Sequence, residues 1–176
     1  MPGRRSRPPR SDVAMVSESA RMSSAAEARF RVQAPNSLPR AIMMIALDGA
    51  GEEVVRRLGA SIWQHTTFCT AVSPDAGLRD LAGRARSLTD AIDAADLVVL
   101  VAGPGGHAHA ASVVGQACSV RRVMTTGFVV GTTWRPESES EDELSKTLAQ
   151  LRPWSLMVVI ARSDDYVDDM LTALRA

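Results

Sequence analysis

Five short apolar runs, separated by stretches with helical or turn character, constrain the fold of this chain most strongly. The runs are AIMMIAL (41–47), TTFCTAV (66–72), DLVVLVAG (96–103), TGFVVGT (126–132) and WSLMVVIA (154–161). Apolar runs of this length, rich in β-branched residues, are typical of buried strands. The sequence therefore predicts a three-layer, Rossmann-like α/β domain with a mostly parallel sheet of about five or six strands.

The stretches between the runs have the spacing of helices that cover such a sheet. After the first run, Val54, Val55 and Leu58 lie on one side of a predicted helix and charged residues lie on the other. Further helical spacing is found over 78–95, 108–120, 139–151 and 163–176. The spacing is patchiest in the first of these segments, which is nevertheless interpreted as helical.

The first 39 residues differ in composition from the rest of the chain. They begin with MPGRRSRPPRSD, which contains four arginines and three prolines, and continue as a stretch rich in serine, alanine and glutamate. Such a segment buries too little apolar surface to offset the entropy lost on ordering. The predicted division is a disordered basic tail over 1–39 and an α/β domain over 40–176. The tail is either a solvated leader or an electrostatic handle for an acidic partner or a membrane surface.

Charge and cysteine usage narrow the classes of function. The formal net charge is zero, so the composition gives no argument for nucleic-acid binding. The apolar runs are far shorter than the roughly 20 residues that a membrane-spanning helix needs, and no transmembrane segment is predicted. Cys69 and Cys118 lie in apolar surroundings without a CxxC spacing. This pattern indicates buried thiols in a reducing compartment, and the predicted location is the cytoplasm.

Three turns that follow predicted strands are candidate ligand sites, because open α/β sheets bind ligands beyond the carboxyl ends of their strands. The turns are DGAGEE (48–53), SPDAG (73–77) and GPGGHAH (103–109). Glycines there let the backbone approach a phosphate, and the first turn of the following helix offers free N–H groups. The predicted binding residues are Gly49, Ala50, Gly51, Asp75, Gly103, Gly105, Gly106, His107 and His109.

Each turn also has an interpretation without a ligand. The GAG at 49–51 is neither a GxGxxG nor a Walker A loop, and close packing of helix on strand explains it equally well. Asp75 either accepts a ribose hydroxyl or forms the turn in SPDAG. His107 and His109 either contact a ligand or are simply exposed, and no metal site is predicted because no acidic or cysteine ligand is near in sequence. The sequence contains no GxSxG or HExxH motif, so no catalytic residue is assigned.

Read together, the turns resemble the nucleotide-binding half of the tubulin/FtsZ family. IALDGAGEEVVRRL (45–58) aligns without gaps with the family's first loop and helix, of the form GGAGGNAVNRM. VSPDA (72–76) stands where the family has V-N-T-D-A. ADLVVLVAGPGGHAHAA (95–111) stands where the family has a strand followed by its signature loop, A-G-M-G-G-G-T-G-T-G. The resemblance implies a nucleotide-binding domain whose cofactor is GTP or GDP.

The departures from the family pattern affect the same loops. The signature loop is reduced to GGHAHAA, in which His107 and His109 replace glycines. Asp48 and Glu52 replace glycines in the first loop and bring negative charge. The chain stops near the point where the family continues towards the loop with its catalytic acids. The resemblance therefore implies a degenerate domain without self-stimulated GTPase activity.

Three classes of function remain open, of which the third is a non-catalytic scaffold or regulator that acts through the basic tail and the acidic residues of the C-terminal half. The first is a degenerate FtsZ/tubulin-like domain that binds guanine nucleotide weakly or serves protein interaction, with a second copy or another protein as its partner. The second is an unrelated Rossmann-like domain that binds another nucleotide or a small anionic ligand, as a binding module or as an enzyme. Convergence of segments 49–51 and 103–106 on one open cleft favours a surviving nucleotide site. A cleft filled by Glu52 or His107 favours its loss.

Overall fold

In the computed structural model, seven strands form one sheet, and five α-helices connect or flank them within the part of the chain that the structure describes. The strands are β1 (Ile42–Ala46), β2 (Thr66–Thr70), β3 (Leu78–Asp80), β4 (Ala85–Arg86), β5 (Leu97–Ala102), β6 (Met124–Val130) and β7 (Met157–Ala161). The helices are α1 (Gly49–Leu58), α2 (Leu88–Asp93), α3 (Ala111–Arg121), α4 (Glu137–Leu151) and α5 (Asp165–Ala173), with a 3₁₀ turn at Arg152–Trp154.

The structure describes residues 39–71, 77–105, 107–131, 137–161 and 165–174. Except for residue 39, the predicted basic tail lies outside these ranges. No helix within them is long and apolar enough to cross a membrane. Cys69 and Cys118 are both buried and free, as their apolar surroundings predicted.

The strand order places the topological switch point between β1 and β5. The order is β4-β3-β2-β1-β5-β6-β7. All neighbouring strands from β2 to β7 along this order run parallel, whereas β3 is antiparallel to β2 and β4 is antiparallel to β3. The predicted α/β fold with a mostly parallel sheet is confirmed. The chain passes from β1 to β2 on one side and then to β5 on the other, which creates a crevice at the carboxyl ends of β1 and β5.

The central strands are apolar along their whole length because helices cover both faces of the sheet. Every residue of β1 and β5 is buried. On one face, α1 and α5 contribute Val54, Val55, Leu58, Val167 and Leu171 to the core. On the other face, α2, α3 and α4 contribute Ile92, Val114, Cys118, Leu148 and Leu151. These two cores make the sheet the middle layer of three.

The prediction of a helix over 78–95 is wrong in its first half, which forms the hairpin of β3 and β4. Gly83 in the turn has a φ of 80°, a left-handed conformation that favours glycine and does not continue a helix. The carboxylate of Asp80 accepts hydrogen bonds from the amides of Ala82 and Arg84 at 3.0 and 2.9 Å. Local bonds of this kind compete with helical hydrogen bonds, and they fix the turn instead.

Candidate functional site

The glycine turns after β1 and β5 lie side by side at the carboxyl edge of the sheet. The two strands are parallel neighbours, with Ala46 in register with Val101. A Cβ atom added to Gly103 would lie 2.6 Å from the Cβ of Ala50, so the two turns are in direct contact. The structure therefore brings together the predicted residues Gly49, Ala50, Gly51 and Gly103.

Asp48 lies at the centre of this junction. Its side chain is the N-cap of α1, and its Oδ1 accepts a hydrogen bond from the Gly51 amide at 2.7 Å. The same carboxylate accepts from the Gly103 amide, at 2.9 Å to Oδ2 and 3.1 Å to Oδ1. Asp48 is only 7% exposed. One buried carboxylate thus binds two of the backbone donors that the sequence analysis assigned to a phosphate.

Close packing accounts for the glycines at positions 51 and 103. A Cβ atom on Gly51 would lie 2.3 Å from the carbonyl oxygen of Val101, and a Cβ atom on Gly103 would collide with Ala50. Gly49 differs, because nothing lies within 4 Å of its added Cβ atom. The interpretation of the GAG turn as a helix–strand contact therefore holds for Gly51, whereas packing does not require glycine at position 49.

The turn after β5 is also attached to helix α4. Gly105 has a φ of 127°, which favours glycine, and its amide donates to the carbonyl of Glu143 at 3.2 Å. The hydroxyl of the buried Thr147 donates to the carbonyl of Gly103 at 3.0 Å. The amides of residues 51, 103 and 105 therefore all have acceptors within the chain.

An open depression of about 360 Å³ lies beside the junction, and it is lined by Asp48, Gly49, Ala50, Pro104 and His107. None of these lining residues is a lysine or an arginine. Asp48 contributes a carboxylate to this lining. Among the described lining residues, the Asp48 carboxylate therefore opposes the binding of an anion.

Glu52 does not fill the cleft. Its carboxylate contacts the Arg56 guanidinium at 2.6 Å, one turn further along α1. Arg56 in turn donates to the carbonyl of Leu81, which precedes the turn of the β3–β4 hairpin, at 3.2 Å. Of Asp48, Glu52 and His107, it is thus Asp48 whose side chain accepts hydrogen bonds from the amides of the two glycine turns.

The histidines are exposed and lie at different places. His107 lines the depression, whereas the carbonyl of His109 accepts from the Ser112 hydroxyl at 3.1 Å near the start of α3. His65 lies at the amino ends of the strands, opposite the candidate site, where its carbonyl accepts from the amide of Ile42 at 2.8 Å. Among the described residues, no group of three or more His, Cys, Asp or Glu side chains is placed to hold a metal ion.

Two predicted binding residues, Asp75 and Gly106, lie outside the described residues. Two residues of the junction, Asp48 and Thr147, were not predicted. An aspartate directly before the first turn of a helix is a preferred N-cap, and this signal could have identified the capping role of Asp48. Thr147 has no local signal, because its contact with Gly103 spans 44 residues.

The sequence matches no protein-family model, and no curated protein is significantly similar to it. The resemblance to the tubulin/FtsZ family therefore stays a prediction from the quoted motifs. The sheet topology and the junction around Asp48 stand independently of that resemblance.

Proposed function

We propose that this chain is a degenerate FtsZ/tubulin-like domain in which an internal carboxylate has replaced the bound phosphate, and which acts by binding protein without GTPase activity of its own. The observation that carries the proposal is the acceptance by Asp48 of hydrogen bonds from the amides of Gly51 and Gly103. In a phosphate-binding turn, such amides point at the ligand. A phosphate would here have to displace a carboxylate that also caps α1.

Electrostatics supports the same conclusion. Two unit charges 4 Å apart repel by about 1 kcal/mol in bulk water and by about 4 kcal/mol near a protein surface. The lining residues that the structure describes include no lysine or arginine to offset this repulsion. We therefore expect the natural chain to bind neither GTP nor GDP at millimolar concentrations.

The depression also offers little for catalysis. Both oxygens of Asp48 accept amide hydrogens, so this carboxylate is engaged in structural hydrogen bonds. His107 is the remaining titratable side chain among the described lining residues. General acid–base catalysis needs a group that is placed against a substrate and tuned by its neighbours, and a non-catalytic role agrees better with this arrangement.

The test is a thermal-shift titration of the natural chain and of Asp48→Gly with GTP, GDP, ATP and NAD, each with and without magnesium. Bound ligand raises the melting temperature by mass action. We expect no shift for the natural chain and a rise with guanine nucleotides for Asp48→Gly, which removes the carboxylate. Ser87→Gly is the matched control, because it removes the N-cap of α2 outside the junction and should not create a response.

Three results would contradict the proposal. A rise with GTP or GDP in the natural chain would show that the turns still bind phosphate. A rise with ATP or NAD alone would favour the unrelated Rossmann-like domain. No rise for Asp48→Gly, in a variant that remains folded by circular dichroism, would show that the carboxylate is not what excludes the nucleotide.

A further inference from the structure

The two edges of the sheet are protected to different degrees. At one edge, β4 has only two residues, Ala85–Arg86, and follows a turn that holds an ion pair between Arg84 and Asp80 at 2.7 Å. Short and charged edge strands prevent further strand pairing. At the other edge, β7 has five residues, MVVIA, without a charge or a proline. Within the described residues, no strand pairs with the outer side of β7.

Apolar side chains are exposed on both faces of this open edge. Met157 is 55% exposed and Ile160 is 49% exposed, and they point to opposite faces because side chains alternate along a strand. Between them, Val158 and Val159 pack against the two cores. Leu156, just before the strand, is 79% exposed. A single added strand with its own flanking side chains would cover both faces.

The charges beside β7 differ between the two ends of the strand. At its amino end, Arg122 after α3 and Arg152 in the 3₁₀ turn are exposed. At its carboxyl end, the described residues Asp168 and Asp169 in the first part of α5 are exposed. When two copies of such an edge lie antiparallel, the basic end of each faces the acidic end of the other. A parallel arrangement would bring like charges together.

We propose that β7 pairs with β7 of a second copy of this chain, antiparallel about a two-fold axis near the middle of the strand. An isologous interface of this kind uses the same edge of both copies. It satisfies the outer backbone N–H and C=O groups of β7, covers Met157 and Ile160, and sets opposite charges against each other. The edge is complementary to itself in hydrogen bonding and in charge, and this favours a second copy over an unrelated partner.

This inference goes beyond the proposed function, because it rests on the sheet edge and does not involve the junction around Asp48. The nucleotide titration tests whether the junction around Asp48 binds a ligand, whereas the oligomeric state tests whether β7 pairs with a second copy. Either proposal can therefore fail while the other stands.

The test is the mass of the full chain in solution, measured by sedimentation velocity and by light scattering at micromolar concentrations. We expect a dimer for the natural chain. Ile160→Lys and Met157→Lys place a charge at positions that are already about half exposed, so the fold should survive, and each should raise the dissociation constant at least about tenfold. Ile62→Lys is the matched control, since Ile62 is 96% exposed and lies outside β7, and it should leave the dimer intact.

A charge swap tests the antiparallel orientation. Arg152→Glu should weaken the dimer, and the double variant Arg152→Glu with Asp168→Arg should restore it, because each copy then carries the reversed pair. A monomeric natural chain would overturn the proposal, as would a dimer that resists both lysine substitutions. If the chain dimerises only after residues 1–36 are deleted, the chain's own N-terminal segment covers the edge and the proposal is wrong.

Discussion

The carboxylate of Asp48 accepts a hydrogen bond from the amide of Gly103 at 2.9 Å, although 55 residues separate the two in sequence. The same carboxylate caps α1 through Gly51, and the carbonyl of Gly103 accepts from the hydroxyl of Thr147 on α4. A buried polar chain therefore joins α1, the end of β5 and α4 where many α/β folds place a ligand. Buried polar groups stabilise a fold when each has a partner, and here the partners belong to the protein itself.

Removal of this carboxylate should cost more than the loss of an ordinary helix cap. We expect Asp48→Ala to lower the free energy of unfolding by about 2–4 kcal/mol, because loss of a cap costs about 1 kcal/mol and an unpaired buried amide at Gly103 costs a further 1–3 kcal/mol. Urea unfolding followed by circular dichroism measures the change.

The control for this measurement is Ser87→Ala at the exposed N-cap of α2, where the hydroxyl accepts from the Asp90 amide at 3.3 Å. This change removes a cap but leaves no buried donor behind, and we expect a loss of about 0.5–1 kcal/mol. Equal losses for the two variants would mean that the contact between Asp48 and Gly103 contributes nothing to stability.

The two glycines of the GAG turn should respond in opposite ways to alanine. Gly51→Ala places a Cβ atom 2.3 Å from the carbonyl oxygen of Val101, and we expect a loss of about 3 kcal/mol because α1 must move away from β5. Gly49→Ala meets nothing within 4 Å, and the reduced entropy of the unfolded chain should leave stability unchanged or raise it by about 0.5 kcal/mol. Thermal or urea unfolding of the pair measures the contrast, and similar losses at both positions would contradict the packing described above.

Alkaline pH should destabilise the fold in part through Cys118. Burial raises the pKa of this thiol from about 9 to about 11, with the charge of Arg121 acting in the opposite direction. The unfolded chain then loses the proton at a lower pH than the folded chain, so the stabilisation is complete below pH 9 and is lost as the pH rises towards 11. Stability curves of the natural chain and of Cys118→Ala should differ in slope over this interval, with the variant flatter. Identical slopes would show that the thiol titrates alike in both states.

Both thiols should be unreactive in the folded protein. Burial also raises the pKa of Cys69, while the charge of Arg86 lowers it, and both residues are buried and free. Since the thiolate is the reactive species, we expect almost no alkylation by iodoacetamide at neutral pH in the native state and rapid alkylation of both cysteines in urea. Mass spectrometry counts the added groups, and fast labelling of the native protein would show that one thiol is accessible.

Most of the fold could be predicted because its signal is local. The runs AIMMIAL and DLVVLVAG contain β1 and β5, and TGFVVGT contains most of β6; the residues of these strands are almost all buried. The hairpin of β3 and β4 was missed because its sequence has a patchy helical spacing. Its turn depends on the φ of Gly83 and on hydrogen bonds to Asp80. The spacing of apolar residues carries no information about either feature.

The candidate site could be predicted only in its location. The rule that turns after neighbouring parallel strands meet at one edge places Gly51 and Gly103 together, and the structure does so. The role of Asp48 did not follow, because its second hydrogen-bond donor comes from another strand. From the sequence, Asp48 was interpreted only as a replacement for a glycine of the family's loop. In the structure, its carboxylate caps α1 and joins that helix to the end of β5.

By itself, the sequence determined the α/β class, the parallel core strands and the burial of both cysteines. The periodicity and content of apolar residues decide which segments become buried on folding. Only the tertiary structure decided that a carboxylate meets the amides of Gly51 and Gly103, and that β7 ends the sheet with an apolar edge. Both outcomes depend on which strands become neighbours. Hydrogen bonds and strand pairing act only over a few ångströms, so groups far apart in sequence must first be brought together by folding.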